Sequence, residues 1–303
     1  MLTKSLPLQS ILRSVQTGAL LLAAVAGVAT AQAGEEYSRA SNKDKNVIQQ
    51  APPAEPKFYL TLMGGAEFDY HATAFISDGR PVFLGTPYVP ALAGTIYTAK
   101  IQTRDFTSTH DPVVNAKAEA GYQVLPYLSV FAGFTYSHAN GHERRVGYVN
   151  DNNGQAFGFS QKYDLYASVG DYQAYTGRAG IKLNTPRTLL DLLHLPRAIS
   201  PYAMLSAGGK YVESQEISFY SGTQPRFVDT GYSTLYGNSW VLNVEGALGY
   251  ELKLTRNASI ILESGYGYDT KPDRGGLKPG ISGTNSGGDR FYSNVSLGGK
   301  IRF

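Results

Sequence analysis

The histidines and their neighbours are the residues of this chain whose types could support catalysis. Five histidines are present, and two groups have the residue types of a hydrolytic site: Ser137 with His138, and Asp69 with His71 and His110. A hydroxyl nucleophile must lie within hydrogen-bond reach of its histidine base. Neighbouring residues of a strand point to opposite faces, so Ser137 and His138 cannot pair within one strand. The sequence therefore predicts a non-enzymatic protein, and the alternative is a lipid-modifying enzyme that uses these three histidines.

Metal and cofactor sites are expected to be absent as well. Residues 150–154, N-D-N-N-G, have the composition of a turn and lack the spaced acids and the closing glutamate of a calcium loop. Glycine-rich loops bind phosphate where they lie between a strand and a helix. No such context surrounds Gly275, Gly276 and Gly280, which belong to a predicted loop. We therefore expect no bound metal and no cofactor.

Charged side chains recur at every second position in several segments, which puts them on one face of a strand. Six are acids and six are bases. If they share one interior they must pair, because an unpaired buried charge is costly. A closed polar plug is then expected, and a narrow ion path is the alternative. The predicted network consists of Glu67, Asp69, Lys117, Glu119, Arg178, Lys182, Lys210, Glu245, Glu251, Glu263, Lys300 and Arg302.

Eight segments could position these side chains, because apolar and polar residues alternate along each of them. Their length of about ten to fourteen residues suits a strand that crosses a membrane at a tilt. One face of each segment is apolar, and the other carries charges, amides or hydroxyls. The segments are residues 58–70, 113–124, 128–137, 172–183, 202–211, 240–252, 260–268 and 290–303.

The connections between these segments differ in length. Those near Pro126 and near Arg256-Asn257 are short, while those after the first, third, fifth and seventh segments are long and polar. Membrane-spanning barrels have short periplasmic turns and long extracellular loops, so the pattern predicts both termini in the periplasm. Aromatic residues at the loop tips suit recognition of a partner, or else pack together and extend the hairpins. Residues 188–195 are apolar and are predicted to form a short helix at the periplasmic interface or barrel mouth.

Aromatic residues on the apolar faces sort into two levels. A membrane-spanning barrel places such residues at both interfaces, with small and aliphatic residues between them. The chain has 34 glycines and 22 tyrosines, and both excesses fit closely packed strands with aromatic girdles. The predicted girdle residues are Phe58, Phe68, Tyr70, Tyr122, Tyr136, Tyr175, Tyr211, Trp240, Tyr250, Tyr266, Tyr268, Phe291 and Phe303.

The last segment, R-F-Y-S-N-V-S-L-G-G-K-I-R-F, ends on an aromatic residue. Val295, Leu297, Ile301 and Phe303 share one face and are predicted to form an assembly signal. A free sheet edge is not tolerated in lipid, so the last strand should close a barrel. This segment and residues 120–136, A-G-Y-Q-V-L-P-Y-L-S-V-F-A-G-F-T-Y, resemble small bacterial outer-membrane β-barrels of the OmpA-like, OmpX-like and opacity-adhesin type. The resemblance covers residues 57–303 without a peptidoglycan-binding domain, and it implies outer-membrane lipid and the barrel-assembly machinery as partners.

The N-terminal region has the features of an exported protein. Lys4 and Arg13 accompany an apolar run at residues 18–29, and Ala31-Gln32-Ala33 has the small residues of a cleavage site. We expect a signal peptide at residues 1–33, a flexible periplasmic arm at residues 34–56 and the barrel at residues 57–303. Cysteine is absent, so no disulfide contributes to stability. The net charge is +3, and the predicted signal peptide holds two cations and no acid, so the charge of the mature chain is near +1 (3 − 2), which argues against nucleic acid as a partner.

The sequence thus predicts an all-β fold, an eight-stranded antiparallel transmembrane β-barrel in the bacterial outer membrane. A ten-stranded barrel is the alternative, because residues 93–106 also alternate and could add a hairpin. The expected function is non-enzymatic: a barrel with a closed interior that stabilises the envelope or presents loops for adhesion. The alternative is a small porin-like channel for ions or solutes. A surface ligand or an envelope partner would bind the loops or the N-terminal arm.

Overall fold

A computed structural model describes residues 57–77, 82–84, 97–151, 162–186, 196, 198–221, 228–272, 284–286 and 288–303. The predicted signal peptide, the arm, the 188–195 helix and residues 152–154 of the predicted turn lie outside these ranges. The elements in chain order are β1 (Phe58–Ser77), β2 (Val82–Leu84), β3 (Tyr97–Ile101), β4 (Arg104–Asp105), α1 (Phe106–Thr109), β5 (Val113–Leu125), β6 (Leu128–Ala139), β7 (Glu143–Asp151), β8 (Lys162–Val169), β9 (Tyr172–Asn184), β10 (Ile199–Val212), β11 (Gln215–Ser221), β12 (Val228–Tyr236), β13 (Ser239–Lys253), β14 (Ala258–Asp269), β15 (Thr284–Ser286) and β16 (Arg290–Arg302). Within these described ranges, no helix has the length and apolar character needed to cross a membrane.

Eight long strands close into an antiparallel barrel. Their order around the barrel is β1, β5, β6, β9, β10, β13, β14 and β16, and β1 closes the sheet by pairing with both β5 and β16. Each of the eight predicted segments corresponds to one of these strands, so the predicted eight-stranded fold is confirmed. The ten-stranded alternative is wrong, because β3 pairs with β7 in a separate sheet beyond the barrel.

The pairing register sets the tilt of the strands. A row of paired residues that begins at Tyr59 and passes once around the barrel returns to β1 at Asp69, ten residues further along. With a rise of about 3.3 Å per residue and a strand spacing of about 4.8 Å, this stagger tilts the strands by about 40° from the barrel axis. A barrel of eight strands at this tilt has an interior just wide enough for side chains to fill.

The two surfaces of the barrel have the polarity that a membrane requires. Leu248 and Leu205 on the outer surface are 68% and 56% exposed, while Glu119 and Lys182 on the inner surface are 3% exposed. Phe58 and Phe68 are ten residues apart on the outward face of β1, which corresponds to about 25 Å along the barrel axis at this tilt. That height matches the apolar band of a membrane-spanning barrel, so the strands are long enough to cross the hydrocarbon core.

The long connections are folded beyond one end of the barrel. β12, β11, β8, β7, β3 and β2 form a second, six-stranded antiparallel sheet in that order, and the far end of β1 pairs with β4 and β15. These hairpins extend beyond the barrel, as in the second of the two arrangements that the sequence left open. The inner face of the second sheet has its own apolar core, formed by Ile101, Val146, Val149, Leu165, Ala167, Val169, Ile217, Phe219, Leu235 and Tyr236. We call this part of the chain the outer extension.

Candidate functional site

The structure places all twelve charged residues of the predicted network on the inward face of the barrel. Arg302 lies at the end of the barrel where the described chain begins and ends, and 14% of its side chain is accessible. The side chains of Glu119 and Glu263 are fully enclosed. Asp269 and Arg290 join them and were missed by the sequence prediction. With these two, seven acids face seven bases in the described part of the interior.

The central part of the network is a continuous chain of ion pairs. Arg178 donates to Glu245 and to Glu119, each at 2.7 Å. Lys117 donates to the other oxygen of Glu245 at 3.0 Å. Lys182 connects Glu119 (2.7 Å) to Glu263 (2.9 Å), and the hydroxyl of Tyr202 donates to Glu263 at 2.6 Å. This series of ion pairs links strands on opposite sides of the barrel and therefore crosses the lumen.

A second cluster surrounds Arg290 nearer the outer extension. Its guanidinium contacts Asp69 at 2.6 Å, Glu67 at 2.9 Å and Asp269 at 3.4 Å. Lys210 donates to Asp269 at 2.5 Å. The Arg290 guanidinium also lies over three aromatic rings, at 5.4, 5.5 and 4.6 Å from the ring centroids of Phe106, Tyr172 and Tyr292. Three carboxylates and three ring faces balance the desolvation of this arginine.

A third cluster lies at the end of the barrel where the described chain begins and ends. Glu251 accepts hydrogen bonds from Lys300 at 3.0 Å, from the hydroxyl of Ser259 at 2.7 Å and from Arg302. Arg302 also donates to Ser259 at 3.0 Å. Breaking a buried ion pair by removing one partner costs about 3–5 kcal/mol, so each of the three clusters constrains the barrel strongly.

Inward aromatic rings fill the spaces between the charged clusters. Each ring covers a glycine of the neighbouring strand, at a position where a β-carbon would collide with the ring. Only glycine permits this close approach, so small and large residues complement each other across the strands. The pairs are Tyr59 with Gly121, Phe131 with Gly180, Tyr202 with Gly249 and Tyr292 with Gly267.

An apolar cluster, here called the plug, lies at the end of the barrel beneath the outer extension. Phe106, the first residue of α1, is 4% exposed; it stacks on His110 with ring centroids 4.0 Å apart and meets Tyr172 edge-on at 5.3 Å. The plug rests directly on the Arg290 cluster through the contact between Phe106 and Arg290. Its apolar residues are Phe106, Val113, Ala139, Tyr172, Ala174, Val212 and Val241.

Hydrogen bonds hold this plug against β11 and against the connection between β6 and β7. His110 Nδ1 bonds with the hydroxyl of Thr109 at 2.9 Å, and its Nε2 contacts the side-chain amide of Gln215. Burial, the largest influence, lowers the pKa of His110 from 6.5 to about 4, so the ring is neutral at physiological pH. Asp111 accepts from His142 Nε2 at 2.7 Å and from Asn140 at 3.1 Å. Desolvation raises the pKa of Asp111, but these hydrogen bonds outweigh it and leave the pKa below the usual value.

The histidines do not form a nucleophilic site with the residues that the sequence suggested. The hydroxyl of Ser137 points inward and donates to Glu67 at 3.2 Å, while His138 contacts Asn140 at 3.3 Å. His110 belongs to the plug, and the side chain of His71 lies outside the described part. The pair of His142 and Asp111 joins residues 31 positions apart and was not foreseen. Among the described residues, no group of three or more histidine, cysteine, aspartate and glutamate side chains could hold a metal ion.

The predicted girdle residues with described side chains lie on the outward face at two levels. At the end where the described chain begins, the ring centroids of Phe58 and Tyr122 are 4.8 Å apart. Tyr250 and Phe303 lie at the same end. At the other level, cross-strand ring pairs are formed by Tyr136 with Tyr175 (5.3 Å), Tyr211 with Trp240 (5.4 Å) and Tyr268 with Phe291 (4.7 Å), and Phe68 and Tyr266 are exposed near them. Tyr70 lies outside the described side chains. Of the predicted assembly-signal residues, Val295, Leu297 and Ile301 lie on the outward face of β16, and Phe303 is the exposed residue that follows this strand.

Comparison with solved structures finds several outer-membrane barrels. Neisserial surface protein A is 13% identical with a TM-score of 0.34, over 81% of this chain and 97% of that one. Ail, the attachment invasion locus protein of Yersinia pestis solved with the heparin analogue sucrose octasulfate, is 11% identical with a TM-score of 0.32, over 82% and 99%. The outer membrane protein OprG of Pseudomonas aeruginosa is 14% identical with a TM-score of 0.34, over 82% and 97%.

No protein-family model matches the chain, and no curated protein matches it either. The likeness to solved structures concerns the arrangement of strands, so the chemistry of the chain is argued from its own residues. The closure of its eight strands, its apolar outer surface and its charged interior identify the chain as a membrane-spanning antiparallel β-barrel.

Proposed function

We propose that this chain is a closed, non-enzymatic barrel of the bacterial outer membrane that presents its outer extension to partners outside the cell. The observation that carries the proposal is a contrast within the molecule. The lumen is filled by paired charges and sealed by a plug, while the outer extension has an apolar core of its own. A scaffold that holds a folded surface above the membrane needs both features.

The filled lumen supports a scaffold rather than a channel. Arg178 and Lys182 each bridge two carboxylates, so an ion that entered this level would have to displace a paired charge. Above them, Phe106 and the Arg290 cluster occupy the mouth. The porin-like alternative would require both layers to move aside.

The outer extension supports recognition because its outward face is polar and held by a rigid sheet. Leu165 and Ala167 on β8 point into the apolar core, so Asp164 and Tyr166, which alternate with them along the strand, point outward. Asp164 pairs with Arg145 of β7 at 2.7 Å, and the two side chains are 47% and 61% exposed. Tyrosine beside charged groups on a preorganised surface suits protein or glycan recognition.

The non-enzymatic assignment rests on the surroundings of His142 and Asp111. This pair could orient a histidine base, but a nucleophile must lie within reach of the base. Ser137 is the hydroxyl that the sequence suggested as a nucleophile, and it donates a hydrogen bond to Glu67 inside the barrel. His142 instead clamps the plug through Asp111, and its backbone amide donates to the carbonyl of Thr109 at 2.7 Å.

The test removes the hairpin of β7 and β8 from the outer extension. Residues 143–169 are replaced by a short Gly-Ser turn, and cells displaying either protein are compared for adhesion to host-cell monolayers and for self-aggregation. We expect the trimmed protein to keep the heat-dependent gel shift of a folded barrel and to lose adhesion. In a matched control, a Gly-Ser turn replaces residues 254–257 at the opposite end of the barrel. Cells that display this variant should adhere as cells with the full chain do. Equal adhesion by the trimmed and full proteins would contradict the proposal.

A further inference from the structure

An asparagine–glycine pair lies beside the plug, in the connection between β6 and β7. Asn140 is exposed to solvent, and Gly141 follows it. Glycine has no β-carbon, so the backbone nitrogen that follows the asparagine is unhindered. This nitrogen can attack the side-chain amide of the asparagine that precedes it. The chain contains one other such pair, Asn153-Gly154, which lies outside the described residues.

The fold requires a glycine at position 141. A β-carbon at this position would collide with the backbone carbonyl oxygens of Val169 and Gly170. The backbone of the pair is also held in place, because the amide of Asp111 donates to the carbonyl of Asn140 at 3.0 Å. A bulkier residue that would shield the nitrogen therefore cannot replace Gly141, and the reactive pair is built into this connection.

The carboxylate of Asp171 is placed to take a proton from the attacking nitrogen. Gly141 donates its backbone N–H to Asp171 Oδ1 at 3.0 Å. A general base must lie about 2.6–3.2 Å from the atom whose proton it removes, and this distance is within that range. The hydrogen bond does not block the attack, because the N–H lies in the plane of the peptide group and the nitrogen attacks perpendicular to that plane.

The side-chain amide of Asn140 is oriented by partners on both sides. Its nitrogen donates to Asp111 Oδ2 at 3.1 Å. Its oxygen can only accept, so the contact of 3.3 Å with Nε2 of His138 is a hydrogen bond donated by the imidazole. Such a donor polarises the carbonyl and stabilises the oxyanion that forms during the attack. A base and a hydrogen-bond donor thus contact the two groups that would react.

We propose that Asn140 is a site of self-catalysed deamidation. The nitrogen of Gly141 forms a bond to the carboxamide carbon of Asn140, and Asp171 takes the proton of that nitrogen. The bond from this carbon to Nδ2 breaks, and ammonia leaves with a proton delivered through solvent. Water then opens the five-membered succinimide and leaves aspartate or isoaspartate, so one water is consumed for each ammonia released. The modification is independent of the proposed surface binding.

The product would change the contacts that hold the plug. The new carboxylate faces Asp111 Oδ2, which now accepts from the Asn140 amide at 3.1 Å, and like charges at such a distance repel. Asp111 also accepts from His142 at 2.7 Å, so the repulsion acts on the group that holds the plug against this connection. Isoaspartate also adds a carbon to the backbone, which displaces the bridge between Gly141 and His110.

The test follows deamidation in the refolded full chain during incubation in lipid vesicles at neutral pH. Peptide mass spectrometry detects conversion at Asn140 as a gain of about 1 Da, and electron-transfer fragmentation distinguishes isoaspartate from aspartate. A general base contributes about 10²–10⁴-fold, so D171N should slow the conversion at least about ten-fold. For the same reason, Asn140 should convert faster in the folded chain than in the chain unfolded in urea.

The matched control is D289N. Asp289 also accepts a backbone N–H at 3.0 Å, that of Lys271, but no asparagine precedes this lysine. We expect D289N to convert at Asn140 as fast as the original chain. Equal rates in D171N and the original chain, equal slowing in D171N and D289N, or slower conversion in the folded than in the unfolded chain would each overturn the proposal. The heat-dependent gel shift confirms folding, and adhesion is measured separately, so failure here leaves the proposed function standing.

Discussion

The barrel and the outer extension are built from continuous strands, yet their side chains are arranged in opposite ways. On β9, inside the membrane, Arg178 and Lys182 point inward while Ile181 points outward. On β8, which leads into β9, Leu165 points inward while Asp164 points outward. The period of two is the same in both strands, and only the polarity of the two faces is exchanged. The surrounding solvent explains the exchange, because lipid faces the barrel and water faces the extension.

The exchange also changes what holds each region together. In the barrel, apolar side chains lose little by facing lipid, so paired charges and closed backbone hydrogen bonding stabilise the interior. In the outer extension, burial of Val146, Leu165 and Ile217 away from water supplies the stability. The two regions should therefore respond differently to the same kind of substitution.

The largest effect is expected for Glu119→Ala in the barrel interior. This substitution leaves Arg178 and Lys182 without a shared carboxylate, and an uncompensated buried charge costs about 3–5 kcal/mol. Urea-induced unfolding of the protein in lipid vesicles measures the change in the free energy of unfolding. A loss below about 1 kcal/mol would show that the central chain of ion pairs does not constrain the barrel.

A smaller and more local effect is expected for Leu165→Ala in the outer extension. Truncating a fully buried leucine costs about 2–5 kcal/mol, but here the cost should fall on the extension alone. Hydrogen exchange should show faster exchange of the β7, β8 and β11 amides and unchanged protection in β13 and β14. Equal loss of protection in both regions would contradict the view that the extension has an independent core.

Much of the barrel was predictable because its alternation is strong and its meaning is simple. Period two located eight strands and twelve inward charges. Asp269 was missed because the predicted seventh segment ended one residue earlier, although it shares a face with Glu263. Arg290 was included in the last segment and shares a face with Lys300, but only the structure shows the carboxylates of Asp69 and Asp269 around it.

The outer extension was harder to foresee for a physical reason. The segment K-Y-D-L-Y-A-S-V of β8 alternates as well as a barrel strand does, but it is short and its apolar face meets a core rather than lipid. Its pairing partners, β7 and β11, come from two different connections. Likewise, the contact between Asp111 and His142 depends on how α1 enters the mouth. Such long-range arrangements follow from the closed topology and cannot be derived from local periodicity.

The plug at the boundary of the two regions should respond to pH. The pKa of His110 is lowered from 6.5 to about 4 by burial, so its contribution is complete above pH 6.5 and is lost as the pH falls towards 4. By linkage, lowering the pH from 7 to 5 should weaken the plug by up to about 2 kcal/mol. Exchange of the His142 amide, which donates to Thr109, measures this loss. His110→Gln should remove the dependence, and an equal dependence in that variant would assign it to another group.

The smallest effect is expected for Arg145→Ala on the outward face of the extension. Arg145 and Asp164 form an ion pair of good length, 2.7 Å, but both side chains are largely in water. Exposed pairs contribute about 0–1 kcal/mol, so the free energy of unfolding should change by less than that amount. If the free energy of unfolding fell as far as in Glu119→Ala, burial would not determine how much an ion pair contributes to stability.

The most direct test of a sealed barrel is single-channel conductance of the refolded protein in a planar bilayer, with folding confirmed by the heat-dependent gel shift. We expect no conductance steps, because Phe106 and the ion pairs of Arg178 and Lys182 fill the lumen. Steady, charge-selective steps that change in Arg178→Gln or Glu245→Gln would contradict it. In that case the interior network would be an ion path, and the porin-like function would replace the one proposed.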